Sequence, residues 1–177
     1  MSINYNMSDK KDIEFIKSLF EKKFKGILLK KIPESKKETE KTADFEVIFN
    51  NEIIAIAELK KLVDVEPCED NGYKKGKVIG EWWRNGNLDP RKIARKIKES
   101  IKQLSSYNHP KIIILLNESF IIDESDYLQT KNIKDKNKKS KIDLYIWVNK
   151  TKNNIILFDI GTETGKTLHQ KFLSKDS

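Results

Sequence analysis

The pattern of apolar positions divides the first third of the chain into one helix and three strands. Between residues 8 and 24 apolar side chains recur three and four positions apart, which predicts an amphipathic helix. Shorter apolar runs at 27–32, 42–49 and 52–60 predict strands, and the last of these is apolar on both faces, as in the centre of a sheet. Two asparagines separate the second and third runs, which indicates a hairpin.

The rest of the chain predicts one further helix and three further strands. Asp89-Pro90 opens a helix that runs to Tyr107, because Asp is a favoured N-cap and Pro fits the first turn. Strands are predicted at 111–117, 142–148 and 154–160. Strand, helix and strand in this order favour a crossover within one sheet. We therefore expect an α/β fold with a mixed β-sheet core flanked by helices.

Length and composition indicate one domain and favour a polyanionic partner. The 177 residues suffice for a sizeable core, and we expect residues 1–7 and 129–141 to be flexible. The formal net charge of +8 favours nucleic acid, although codon bias toward Lys, Ile and Asn would also produce it. The single Cys68 excludes an internal disulfide. No apolar run is long enough to span a membrane, and we expect a cytoplasmic protein. A homodimer is possible, and the choice between monomer and dimer stays open.

The hairpin carries two acids and a lysine. Glu58 and Lys60 lie two positions apart on its second strand and therefore point to the same face. Asp44, on the first strand, joins them if it lies opposite Glu58. That register requires a three-residue loop, Asn50-Asn51-Glu52, and keeps the other face of the hairpin apolar. A two-residue turn would place Asp44 opposite Ala57 instead. We expect the first register, since a one-residue slip moves a whole set of side chains to the wrong face.

Two carboxylates and an amine at this spacing can hold a divalent metal and a water beside a phosphate. The simpler alternative is a solvated, charged strand face. Glu58 follows a run that is apolar on both faces. A charge buried there is costly unless it is paired or binds a metal. This position favours a functional site.

Basic and aromatic residues cluster in two other places. The segment 65–89 contains Trp82, Trp83 and Arg84 among lysines, which suits a loop that contacts nucleic acid. Packing of the tryptophans onto the core is an equal alternative. The predicted helix after Pro90 has four cations along one exposed face, suited to phosphate contacts: Arg91, Arg95, Lys98 and Lys102.

The segment Gly161–Thr167 resembles a phosphate-binding P-loop but departs from its spacing. That loop has four residues between its glycines, whereas three separate Gly161 from Gly165. We therefore predict an ordinary turn near the C-terminus.

The order of these elements, with Asp44 and Glu58-x-Lys60 on the hairpin, resembles the PD-(D/E)xK nuclease superfamily and its restriction-endonuclease-like fold. The resemblance covers roughly residues 8–117. Ala43 stands where many members have Pro. Gln103, followed four residues later by Tyr107, is similar to the Q-x-x-x-Y element of RecB-type members.

The resemblance implies a nuclease that hydrolyses DNA with Mg²⁺ or Mn²⁺. Asp44, Glu58 and the backbone carbonyl of Leu59 would be the metal ligands. Lys60 would orient water or stabilise charge, and Gln103 would position substrate or water. Many members also carry an acid on the first helix, for which the candidates are Glu14 and Glu21. The alternatives are a non-catalytic nucleic-acid-binding module on the same fold, or an interaction protein with a solvated carboxylate face. The choices between DNA and RNA and between endo- and exonuclease stay open.

Overall fold

The computed structural model describes residues 5–33, 42–62, 90–118, 142–159 and 162–174. These residues form an α/β fold of three helices and six strands. In chain order the elements are α1 (Tyr5–Lys23), β1 (Ile27–Lys31), β2 (Phe45–Phe49), β3 (Glu52–Leu62), α2 (Pro90–Leu104), β4 (Lys111–Asn117), β5 (Leu144–Asn149), β6 (Asn154–Asp159) and α3 (Glu163–Leu173). None of these helices is both long enough and apolar enough to cross a membrane.

The six strands form one mixed sheet whose spatial order follows the chain, β1-β2-β3-β4-β5-β6. Strands β1, β2 and β3 pair antiparallel, β3, β4 and β5 pair parallel, and β6 returns antiparallel to β5. The predicted crossover is confirmed, since α2 lies between the parallel neighbours β3 and β4 in the chain. The central strands are buried on both faces, as their continuous apolar runs predicted.

Each face of the sheet has its own hydrophobic core. On one face α1 and α3 pack against alternate residues of the strands, among them Phe45, Ala57 and Ile114. On the other face α2 packs through Ile97 and Leu104 against the intervening strand residues. Consecutive residues of β3 therefore face different helices, and the side chains of even number from residue 56 onward face α2. This alternation determines which helix meets each candidate site residue.

Helix α1 begins at Tyr5, three residues before the predicted start at residue 8. Its apolar stripe is otherwise as predicted, with Ile16, Leu19 and Phe20 buried in the core. Phe20 packs edge-to-face against Phe24, with ring centroids 5.3 Å apart.

The predicted turn near the C-terminus is wrong, because residues Glu163–Leu173 form helix α3. Thr162 caps it, and its hydroxyl accepts the N–H of Gly165 at 2.9 Å. Leu168 and Phe172, four residues apart, bury the inner side of the helix. A Cβ at Gly165 would lie 2.3 Å from the carbonyl oxygen of Asp143, so this glycine allows the helix to approach the backbone before β5.

Candidate metal and phosphate site

A β-bulge sets the register of the hairpin. The turn has two residues, Asn50 and Asn51, both with positive φ, so the predicted three-residue loop is wrong. From this turn Ile48 pairs with Ile53, but Val47 pairs with Ala55, so Ile54 is an extra residue on β3. Beyond the bulge the pairing is the one predicted.

Asp44 lies immediately before β2, and backbone and side-chain contacts fix it at the end of the hairpin. Its N–H donates to the carbonyl of Ala57 at 3.1 Å. Its Oδ2 accepts the N–H of Leu59 at 2.9 Å, and its Oδ1 accepts from the Lys31 ammonium at 3.0 Å. The carboxylate of Asp44 therefore lies beside the segment of β3 that carries Glu58.

Tyr107 supports this arrangement from the residues that follow α2. Its hydroxyl accepts the N–H of Ala43 at 3.1 Å, one residue before Asp44. The tyrosine of the Q-x-x-x-Y pattern thus positions the backbone that carries the first acid.

Glu58, Lys60 and Gln103 form a chain of side-chain contacts between β3 and α2. The Lys60 ammonium donates to Glu58 Oε1 at 2.6 Å and to Gln103 Oε1 at 2.9 Å. Glu58 is 2 % exposed, which contradicts the interpretation of this carboxylate as a solvated face. Its second oxygen, Oε2, is buried and accepts no hydrogen bond from the residues that the structure describes.

Burial raises the pKa of Glu58 to about 7, and the negative charge of the neighbouring Asp44 is the second cause. The hydrogen bond from Lys60 opposes the shift but does not cancel it. A buried carboxyl whose ionisation is disfavoured by burial and by a neighbouring carboxylate is one whose charged form a cation would stabilise.

The donor set fits a hard divalent cation. Asp44 and Glu58 supply carboxylate oxygens. In a strand the N–H and C=O of one residue point to the same side, so the carbonyl of Leu59 points toward the side on which its N–H meets Asp44. Mg²⁺ is commonly held by one or two carboxylates and keeps several waters. Three or more acidic, His or Cys side chains do not converge anywhere in the described part of the chain, so Asp44 and Glu58 are the two side-chain ligands that this part offers to a metal here.

The predicted nucleic-acid contacts are only partly described. Arg95, Lys98 and Lys102 are exposed on α2, roughly a third of a turn around the helix from Gln103. Arg95 lies 3.9 Å from Glu99, so an acid borders this basic face. The side chain of Arg91 and all of Trp82, Trp83 and Arg84 lie outside the described residues.

The two helix acids suggested by the resemblance do not join Glu58. Glu14 and Glu21 are exposed on α1, which packs on the sheet face opposite to the one that Glu58 and Lys60 share with α2. Helix α1 does carry a buried acid, Asp12, which sequence reasoning missed.

Asp12 belongs to a separate ring of four charges. It contacts Lys61 at 2.8 Å and Lys150 at 2.7 Å. Glu118 contacts the same two lysines, at 2.7 Å in the case of Lys61. Burial alone would raise the pKa of Asp12, but hydrogen bonds from Lys150 and Lys61 outweigh it and lower the pKa. The ring links α1, the end of β3, the residue after β4 and the β5–β6 turn.

Lys96 is a second residue near the site that the sequence analysis did not select. It lies on α2 seven residues before Gln103, and its ammonium donates to the backbone carbonyl of Lys61 at 2.5 Å. Burial and then the nearby Lys60 ammonium lower the pKa of Lys96. The seven-residue spacing from Gln103, two turns of helix, was the available signal for placing it on this side.

Comparison of the chain with protein-family models, with curated proteins and with solved structures finds no match.

Proposed function

We propose that this protein is a metal-dependent nuclease that hydrolyses phosphodiester bonds of DNA. The observation that carries the proposal is the buried Glu58, which lies beside Asp44, has one carboxylate oxygen without a donor in the described residues, and has Lys60 hydrogen-bonded to the other. Buried carboxylates without full pairing are costly, and a bound cation would remove that cost.

Asp44, Glu58 and the Leu59 carbonyl would hold Mg²⁺ or Mn²⁺. The bound ion would neutralise charge on a scissile phosphate and acidify a water. Asp44 is held for this role by the N–H of Leu59 and, through Ala43, by Tyr107. The position of Asp44 is thus fixed by contacts to the backbone on both sides of the site.

Lys60 would act on the attacking water or on the charge that develops at the phosphate. Its ammonium is oriented by Glu58 and Gln103, so it is held in one place before substrate binds. Gln103 would position Lys60 directly and the substrate or water through its remaining amide group. The restriction-endonuclease-like fold of the resemblance is part of this proposal, and its support is the mixed sheet of an α/β fold.

A non-catalytic nucleic-acid-binding module on the same fold is the second candidate. The exposed Lys98 and Lys102 favour nucleic-acid binding under either function. A module without chemistry would not require Glu58 to be buried beside Asp44, and for this reason we favour the nuclease.

The test is cleavage of linear, circular, single-stranded and branched DNA by the purified protein with Mg²⁺ or Mn²⁺. We expect cleavage with either ion, none in EDTA, and little with Ca²⁺, whose larger and looser coordination shell positions water poorly. The Glu58→Gln variant, prepared in parallel, should be inactive and controls for a contaminating nuclease. Wild-type protein that binds DNA but cleaves no substrate with either ion would favour the binding module.

A further inference from the structure

Lys96 differs from the other lysines around the site because the described residues give it no carboxylate partner. Lys31, Lys60 and Lys61 each contact an acid at 3.0 Å or less. The half-buried ammonium of Lys96 contacts only the Lys61 carbonyl within hydrogen-bonding distance among those residues. An ammonium has three donors, so this one retains capacity for an anion.

The position of Lys96 relates it to the proposed catalytic centre. Residues seven apart on a helix lie on the same side, and Gln103 on that side contacts Lys60. The carbonyl that Lys96 contacts belongs to Lys61, the next residue of β3. Lys96 therefore lies on the same side of α2 as Gln103, and its ammonium contacts β3 one residue beyond Lys60, toward the end of the strand.

The electrostatics at this position favour a negatively charged ligand. Burial and then the adjacent Lys60 disfavour the charged form of Lys96, and together they outweigh the favourable charge of Glu99. A bound anion would offset both unfavourable effects. Each phosphate of a nucleic-acid strand carries one negative charge, and successive phosphates are closely spaced. A strand with one phosphate at Lys60 would therefore bring the next phosphate toward Lys96.

We propose that Lys96 binds a backbone phosphate of the nucleic acid, next to the phosphate at Lys60. This inference rests on the proposed function for the identity of the substrate. Lys96 would be a binding residue, distinct from the exposed basic face of α2, because it approaches the strand from the side of the catalytic lysine. A role limited to fastening α2 onto β3 is the alternative.

The test compares the salt dependence of DNA binding in Ca²⁺ for wild type, Lys96→Gln and Lys96→Arg. The probes are a short DNA duplex of mixed sequence and its single strand. Lys22→Gln is the matched control, since it removes one exposed charge from α1, on the opposite face of the sheet. We expect Lys96→Gln to weaken binding about tenfold and to lower the slope of log affinity against log salt by about 0.7–0.9, the value for one phosphate contact. Lys96→Arg should restore the slope, and Lys22→Gln should leave it unchanged.

The outcomes separate this inference from the proposed function. If the wild type cleaves DNA but Lys96→Gln has the slope of the Lys22→Gln control, Lys96 only fastens the helix, and the nuclease proposal stands. If the salt-dependence slope of Lys96→Gln falls by the value for one phosphate contact while neither the wild type nor any variant cleaves DNA, the phosphate contact stands and the binding module replaces the nuclease. If the wild type binds neither probe at low salt, both proposals are wrong. Thermal unfolding of each variant shows whether Lys96→Gln folds. If it does not fold, Lys96→Arg decides: the wild-type slope supports the phosphate contact, and a lowered slope contradicts it.

Discussion

The ammonium of Lys60 lies 2.9 Å from the side-chain carbonyl of Gln103, 43 residues further along the chain. This contact joins β3 to α2 and fixes the amine that we expect to act on water or on developing charge. A lysine held in this way loses little freedom when substrate binds, which is the condition for effective electrostatic catalysis.

Replacing Lys60 with Ala should lower the rate of DNA cleavage by a factor of about 10² to 10³, the usual cost of removing a preorganised charged donor. Mn²⁺ binding should persist, because the amine is not a proposed metal ligand. Cleavage assays and calorimetric titration with Mn²⁺ measure the two effects, with Lys22→Ala as the control. Cleavage by Lys60→Ala at the wild-type rate would remove this lysine from the mechanism.

Glu58 should make the metal-free protein less stable as the pH rises. Its pKa of about 7 in the folded state exceeds the ordinary value of 4.5, so the native state binds the proton more tightly than the unfolded state. The contribution of this proton to the free energy of unfolding is complete below pH 4.5 and is lost as the pH rises through about 7. At about 1.4 kcal/mol per pKa unit, the free energy of unfolding falls by roughly 3 kcal/mol over this range.

Glu58→Gln should remove this loss and be more stable than wild type at pH 8 in EDTA, because the amide stays neutral. Mn²⁺ should stabilise the wild type more strongly at pH 8 than at pH 5, since the cation binds the ionised carboxylate. Urea unfolding at both pH values gives these free energies. Glu46→Gln, on a half-buried acid of the same hairpin, is the control. Parallel pH profiles for wild type and Glu58→Gln would contradict the raised pKa.

Tyr107→Phe should reduce cleavage by misplacing Asp44. Loss of the hydroxyl leaves the Ala43 N–H without its acceptor, at a cost of about 1 kcal/mol in the free energy of unfolding. We expect the rate constant for cleavage to fall with little change in the substrate concentration at half-maximal rate, since DNA contacts are retained. The comparison requires steady-state kinetics and urea unfolding. An altered substrate affinity with an unchanged rate would instead assign Tyr107 to DNA binding.

Asp12→Asn should destabilise the protein without a direct effect on the chemistry. It breaks the ring of four charges and leaves Glu118 as its one remaining acid, at an expected cost of about 1–3 kcal/mol. Because the pKa of Asp12 is lowered on folding, its stabilising contribution is present above the ordinary value of 3.8 and is lost as the pH falls below it.

Urea unfolding at pH 7 and pH 3 measures the contribution of the ring. Glu163→Gln breaks an exposed pair with Lys166 and should change the free energy of unfolding by less than about 1 kcal/mol. A loss for Asp12→Asn no larger than that of this control would show that the ring adds little.

Charge reversal at Lys98 and Lys102 should weaken DNA binding at low salt and lower its salt dependence, because each phosphate contact releases counterions. Both residues are exposed, so the melting temperature should not change. Fluorescence anisotropy with labelled DNA at several salt concentrations measures the affinity of each single variant, Lys98→Glu and Lys102→Glu, against the control Lys22→Glu. Affinities equal to that of the control would indicate that this face of α2 is only solvated.

The local pattern of the sequence was sufficient to predict the sheet-forming segments, the start of α2 at Pro90, and the shared face of Glu58 and Lys60. These features depend on the two- and 3.6-residue periods of strand and helix, which neighbouring residues carry. Helix α2 ends at Leu104, three residues before the predicted end at Tyr107. The pairing of Phe45 with Ala57 was also predictable, because only that register keeps one face of the hairpin apolar. Helix α3 was not predicted because Gly161 and Gly165 favour a turn locally, whereas the helix is stabilised by its Thr162 cap and by burial of Leu168 and Phe172 against the sheet.

The tertiary structure decided how conflicting local preferences were reconciled. Two asparagines favour a two-residue turn, whereas the apolar face favours a register that such a turn cannot give, and the bulge at Ile54 accommodates both. The contacts of Lys60 with Gln103 and of Lys96 with the Lys61 carbonyl depend on the docking of α2 against β3. These contacts join residues more than thirty positions apart, and no local period specifies them. The burial that raises the pKa of Glu58 likewise arises only when the folded sheet and helices exclude water together.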